Sequence, residues 1–305
     1  MSPTKAQSVS MTATRPLVAV ELALEGVLAA TVTGRGEPPV LAFAPLHGGV
    51  LTPGIEETNV RSPEMLSVAI SAALNDVQAK TRDVTLIVPD TAVRVFVLDF
   101  DSLPSKPAEV LPVLRFRLRK MVPFDVEHAG VSYQVLSTSA SETRALIAVI
   151  PGPILKEYED AVRASGYEPG VVLPSSLAAL GAVDSAEPVL AACLSSGALT
   201  TVITHGQDLL LYRTLDLPDD PAQRLADAQR DIAVAAAYYE DKLGVRARKL
   251  HFGGVGSAED FGHWLQVNDP ELSVVELVPR PSRGAATNLG RLSFAGITGA
   301  LAGVA

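Results

Sequence analysis

Few residues in this chain stand where catalysis would need them. The five histidines, His47, His128, His205, His251 and His263, share no metal-ligand spacing with one another or with Cys193. Structural and surface roles are expected for them. The serine pairs Ser175-Ser176 and Ser195-Ser196 lack the strand-to-helix setting that exposes a nucleophile, and no partnering histidine motif accompanies them. No two carboxylates form a recognisable acid/base pair. The chemistry that remains is recognition, concentrated around LRKMVPFDVEHAGVSYQVL, residues 118–136. A helical run bearing Arg115, Arg117, Arg119 and Lys120 stops there at Pro123-Phe124, and strand-like alternation begins soon after.

Two readings of that run stay open. Leu111, Leu114, Leu118 and Met121 or Val122 can share one helical face, which leaves the four cations for the other sides. That cationic face is either simply solvated, or it meets an acidic segment of a partner or an anionic membrane surface. Pro123 ends the helix because it offers no N–H and biases its predecessor to extended geometry. Phe124 then either staples the corner to a core or lines a groove. The corner is expected to turn the chain into the central strand of a recognition unit.

The elements that must position these residues belong to a large, aliphatic, folded chain. Its 305 residues are 48% hydrophobic, 19% charged and only 5% aromatic, which suggests two domains or one with insertions. A net charge of -9 argues against a general nucleic-acid binder. A single cysteine fits a reducing compartment. Residues 1–16 read as a loose polar tail without the apolar core of a secretory signal. The closing LSFAGITGALAGVA falls short of the roughly twenty residues a bilayer span needs, and is expected to be a small-residue helix packed inside the protein.

Along the chain, LVAVEL from Leu17, VLAATVTG and VLAFA form a meander with a turn at Gly34 to Gly36. Ser62-Pro63 opens a helix to about Lys80, with Leu66, Ile70, Leu74 and Val77 on one stripe, and VTLIVP at 84–89 is a strand covered on both faces. The second half repeats this grammar. VLAACL at 189–194, TTVIT at 200–204 and LLLYRT at 209–214 form a meander. A long helix follows, opened by Asp219-Asp220-Pro221 and stopped by Gly244, then the strand KLHF at 249–252. Between the copies, strands 93–98, 131–136 and 145–150 flank the basic helix at 105–122, and a helix from about Pro153 buries Ile154, Tyr158 and Val162. The expected organisation is an internally duplicated α/β protein. It has a tail at 1–16, a first half at 17–90 completed by 166–185, an inserted α+β partner-binding unit at 91–165, and a second half at 186–305 with its helical part near 219–248.

Duplicated halves with an inserted α+β unit resemble the actin-like (ribonuclease H-like) ATPase fold, and within it the PilM family of type IV pilus assembly proteins. The resemblance rests on MVPFDVEHAGVSYQVL, GYEPGVVLPSSLAALGAV, HGQDLLLYRT, LHFGG and GITGALAG in that order, and covers about residues 17–303. It implies a cytoplasmic protein, peripheral at the inner membrane, that binds the short cytoplasmic N-terminus of PilN in a groove beside the insert. Arg115, Arg119, Val122, Pro123 and Phe124 are the residues it points to for that contact. It further implies a link to the PilN/PilO platform and a pilus motor ATPase or platform protein, with self-association left open.

Actin-like folds hold ATP and magnesium between their halves, with glycine-rich meander turns on the phosphates and an aspartate on the cation. Here the first turn reads VAVELALEG, with Ala19 and Ala23 where the family has glycine and Glu21 where it has aspartate. Glu25 would repel phosphate. In the second turn, CLSSGALTT, Ser195 stands at the aspartate position and Gly197 and Thr200 remain. Gly253 and Gly254 match the adenosine-side pair. If a nucleotide site survives, Glu21, Gly197, Thr200, Gly253 and Gly254 are its residues, with Glu21 alone linked to a metal. The expectation is a degenerate site with weak or lost ATPase activity and no required cofactor. The alternatives are a nucleotide-binding ATPase of the same fold and a GspL-like scaffold of type II secretion, which continues into a transmembrane helix.

Overall fold

A computed structural model describes residues 15–32, 34, 39–183, 185–266, 271–279 and 292–302. Gly36 and nearly all of the 1–16 tail lie outside these residues, as does the end of the closing segment, 303–305.

The first sheet begins as a meander of β1 (Val18–Ala23), β2 (Gly26–Thr31) and β3 (Val40–Pro45). Helix α1 (Pro63–Asp76) returns the chain to β4 (Asp83–Val88), which pairs parallel to β1. Pro63 starts that helix, and Leu66, Ile70, Leu74 and Val77 are all buried as their spacing predicts.

The insert then runs β5 (Arg94–Phe100), α2 (Pro107–Leu118), β6 (Gly130–Thr138) and β7 (Thr143–Ile150), and its sheet order is β5-β7-β6. The strand after the Pro123-Phe124 corner is therefore an edge and not the centre. The hydrophobicity of ALIAVI explains this, because β7 is the strand covered on both sides. Helix α3 (Gly152–Ala164) buries Ile154, Tyr158 and Val162 among residues of β1, β4 and α1. It thus packs on the first half, although the sequence reading places it in the 91–165 insert. β8 (Glu168–Pro174) completes the first sheet, in the order β3-β2-β1-β4-β8, and leads into the short helix α4 (Ser175–Ala179).

The second half repeats the plan. β9 (Pro188–Leu194), β10 (Ala198–His205) and β11 (Asp208–Asp216) form its meander, followed by α5 (Pro221–Leu243), β12 (Lys249–Gly254), α6 (Ala258–Leu265) and β13 (Ser273–Glu276). The sheet order β11-β10-β9-β12-β13 matches the first sheet strand for strand. Asp220 caps α5 by accepting from the Gln223 N–H at 2.8 Å, and Gly244 ends it at φ 70.

Helix α7 (Ala295–Leu301) does not stay with its own half. Its apolar small residues pack on Ala19, Leu28 and Ala30 of the first sheet and on Ala178 and Ala179 of α4. The approach is backbone to backbone: a Cβ on Gly299 would stand 2.1 Å from the Ala178 carbonyl oxygen. That explains the glycines and alanines of GITGALAG. The insert also reaches across. Leu146 shares a core with Val202 and Tyr212, the Arg94 guanidinium meets Asp216 at 2.6 Å, and Arg144 donates to the Leu210 carbonyl at 3.2 Å. The halves are thus tied by a crossing helix on one side and the insert on another.

Candidate functional site

A cleft of about 120 Å³ opens between the halves, where the β1–β2 turn faces the β9–β10 turn. On its floor stand two buried carboxyls, Glu21 from β1 and Asp90 from the end of the segment after β4. Each is engaged at a helix N-terminus. Asp90 accepts from the Ser176 N–H at 3.0 Å and from the Ser176 hydroxyl at 2.6 Å, which caps α4. Glu21 accepts from the Ser175 hydroxyl, and the Ile297 N–H in the first turn of α7, a helix with no side-chain cap of its own, favours its charged form. One Glu21 oxygen, Oε2, is buried without a hydrogen-bond partner.

Burial dominates their protonation. It pushes Glu21 up to about 7, against the pull of the Ser175 hydroxyl and with the Asp90 charge adding to the rise. It pushes Asp90 up to about 6, although Ser176 favours its charged form. Cys193, also buried here, is held far above the usual thiol range by the same burial and the neighbouring Asp90.

A polyphosphate needs free N–H donors and a cation held by a charged carboxylate. The second turn closes on itself at its ends: the Ser195 N–H goes to the Ala198 carbonyl at 2.9 Å, and the Ala198 N–H to the Ser195 hydroxyl at 3.1 Å. Arg224 of α5 is occupied by the Ser195 and Ser196 carbonyls, at 3.3 and 2.7 Å. The Ser196 hydroxyl bonds Glu25 across the cleft at 2.8 Å. Glu25 in the first turn would repel phosphate, and Glu21 below it, raised and with Oε2 unpartnered, is poorly suited to hold a cation, so these carboxyls do not fit ATP with magnesium.

Of the residues proposed for a nucleotide, Glu21, Gly197 and Gly253 line this cleft. Thr200 does not, because it is fully buried in β10 and bonds Thr214 on β11 at 2.9 Å. Gly253 and Gly254 are not a turn but the last residues of β12. A Cβ on Gly253 would come within 2.8 Å of Ala295, and one on Gly254 within 2.7 Å of the Leu194 carbonyl oxygen, so packing already requires both glycines. Asp90 was missed. The signal was present: an acid directly after the buried strand VTLIVP, where its carboxyl must find a partner.

The proposed partner residues divide differently. Val122 is buried with Val110, Leu114 and Leu118 in the core of the insert, and Phe124 packs on that core, as the stapling reading expects. Leu111 and Met121 do not join the buried face, whose third member is Val110. Arg115 donates to three carbonyls of the following loop, those of Val126, Glu127 at 2.9 Å and Ala129 at 3.2 Å, so it ties the corner together. Arg119 pairs with Glu127 at the surface, and Pro123 is exposed. Among the described residues no group of three or more His, Cys, Asp or Glu could hold a metal.

A second concavity lies between insert and first half. It measures about 220 Å³ and is lined by Val131 and Ser132 of β6, Val149 of β7, Leu155 of α3, and Val172 and Pro174 of β8. Among the described residues β6 is an edge of the insert sheet and β8 an edge of the first sheet, and both contribute residues to a largely apolar groove that Glu159 also lines. No described helix is long and apolar enough to cross a membrane.

No protein-family profile and no curated protein matches the chain. Solved structures do. A PilM–PilN type IV pilus biogenesis complex aligns with TM-score 0.72 at 19% identity, over 96% of this chain and 99% of that one. A Bacteroides thetaiotaomicron protein with an actin-like ATPase fold aligns with TM-score 0.50 at 10% identity, over 88% and 94%. The cytoplasmic domain of EpsL, an inner-membrane component of the Vibrio cholerae type II secretion system, gives TM-score 0.48 at 15% identity, over 87% and 89%. At these identities the likeness is one of fold. The chain has the duplicated actin-like architecture, with an α+β insert in its first half, of the chain it matches in the PilM–PilN complex.

Proposed function

We propose that this protein is an adaptor of type IV pilus assembly that holds an extended peptide, the cytoplasmic N-terminal segment of a PilN-type membrane protein. The groove between insert and first half carries the reading. Its apolar lining offers pockets for alternate side chains, and the edges of β6 and β8 offer backbone N–H and C=O groups to an added strand. The fold shared with a PilM–PilN complex supports it. Through that peptide the protein sits at the inner membrane and connects a PilN/PilO platform to a pilus motor. No nucleotide is needed, since the cleft presents carboxylates and spent hydroxyls in place of phosphate donors.

The test is a titration of such a peptide against the protein and its Val131→Asp and Val172→Asp variants. A charge buried beneath a bound peptide without a partner costs several kcal/mol, so either change should abolish binding measured by fluorescence anisotropy; since both valines also pack on the cores, binding is read at a temperature where each variant's melt shows it folded. Undiminished affinity in both variants would remove the groove from the account.

A further inference from the structure

We propose that the outer crest of α2 docks directly on an anionic lipid surface. The inference does not rest on the peptide groove, which faces the other elements of the insert. Val110, Leu114 and Leu118 turn inward, and at helical spacing the opposite side carries Glu109, Pro112 and Phe116, with Val113 to one side and Lys120 just past the last helical residue. Phe116 is 69% exposed, and Val113 one turn before it and Met121 just past the helix are also out in solvent, so the helix bares an apolar group of side chains rather than a single one.

The charge around it is reversed from the rest of the molecule. Between 106 and 122 five cations stand against one carboxylate, Glu109, in a chain of net charge -9. Glu109 pairs with Lys106 at 3.2 Å and Arg119 with Glu127, but Arg117 and Lys120 carry no ion pair among the described residues. Arg117 stands about 100° round the helix from Phe116, and Lys120 follows four residues on, past the helix end. The patch sets one exposed aromatic ring beside two cations without ion pairs among the described residues, a pairing of apolar and basic groups that a negatively charged lipid interface complements. Lipid headgroups meet Arg117 and Lys120 while the Phe116 ring enters the interface.

The full chain should co-sediment with vesicles containing phosphatidylglycerol and not with pure phosphatidylcholine vesicles, and the bound fraction should fall with added salt. Phe116→Ser should lower partitioning roughly tenfold. The pair Arg117→Glu and Lys120→Glu should lower it at least as far and abolish the preference for phosphatidylglycerol. All three positions are exposed, so circular dichroism and melting should match the parent. Failure of the parent to bind acidic vesicles, or unchanged binding in both sets of variants, overturns the proposal. So does a chain that ignores vesicles but binds polyglutamate in a manner dependent on Phe116, which would make the ridge a protein contact.

Discussion

The Ser196 hydroxyl donates to the Glu25 carboxylate at 2.8 Å, so the meander turns of the two halves touch across the cleft. Here an acid of one turn holds a hydroxyl of the other, and α7 and the insert fasten the halves elsewhere.

Mg-ATP should leave the melting temperature unchanged. A ligand at about a hundred times its Kd adds about 2.7 kcal/mol to stability, which a thermal-shift measurement reads as several degrees. A rise of that size would mean that the turns open and accept phosphate.

Stability should fall as pH rises from about 4 through about 7. Glu21 moves from 4.5 in the free residue to about 7 in the fold, and Asp90 from 3.8 to about 6. The folded state therefore binds more protons than the unfolded chain across that window. Their contribution is complete below the free values and is lost once pH passes the folded ones. For Glu21 the difference corresponds to about 3 kcal/mol. Urea denaturation of Glu21→Gln across this range should show a flatter profile, with the variant gaining on the parent at pH 8. A parent profile that rises with pH in this window would contradict the assignment.

Gly296→Ala should destabilise by about 1 to 3 kcal/mol. A Cβ there would stand 2.6 and 2.9 Å from the Glu21 carboxyl oxygens and 2.9 Å from the Ser175 hydroxyl, where it would lift α7 off its cap. Gly54→Ala, whose Cβ meets nothing within 4 Å, is the control. Denaturant midpoints separate the two.

Arg115 and Arg119 look equivalent in sequence and should behave differently. Arg115→Ala leaves three loop carbonyls without their charged donor and should cost about 2 kcal/mol. Arg119→Ala loses only an exposed ion pair and should cost under about 1 kcal/mol. Equal effects in equilibrium unfolding would mean that the Arg115 contacts contribute little.

What was legible in the sequence follows from what is local. The strands, the α1 stripe and the caps at Asp220 and Gly244 are written in period and turn chemistry, and the repeated order exposes the duplication. Partnerships at long range were not. Whether α3 and α7 join the first core depends on which sheet face is bare, and no spacing encodes that. Thr200 and the Gly253-Gly254 pair were placed by analogy of position, whereas their neighbours, Thr214, Ala295 and Leu194, set their roles. Arg115 was read as a surface cation because its carbonyl partners are backbone groups, which a sequence does not display.

Calorimetry of the PilN-type N-terminal peptide against the intact protein in EDTA, and again with Mg-ATP, tests the account most directly. It predicts micromolar or tighter binding, about 8 kcal/mol, with the same affinity in both conditions. Binding that appears only with Mg-ATP, or no heat in either condition, would contradict it.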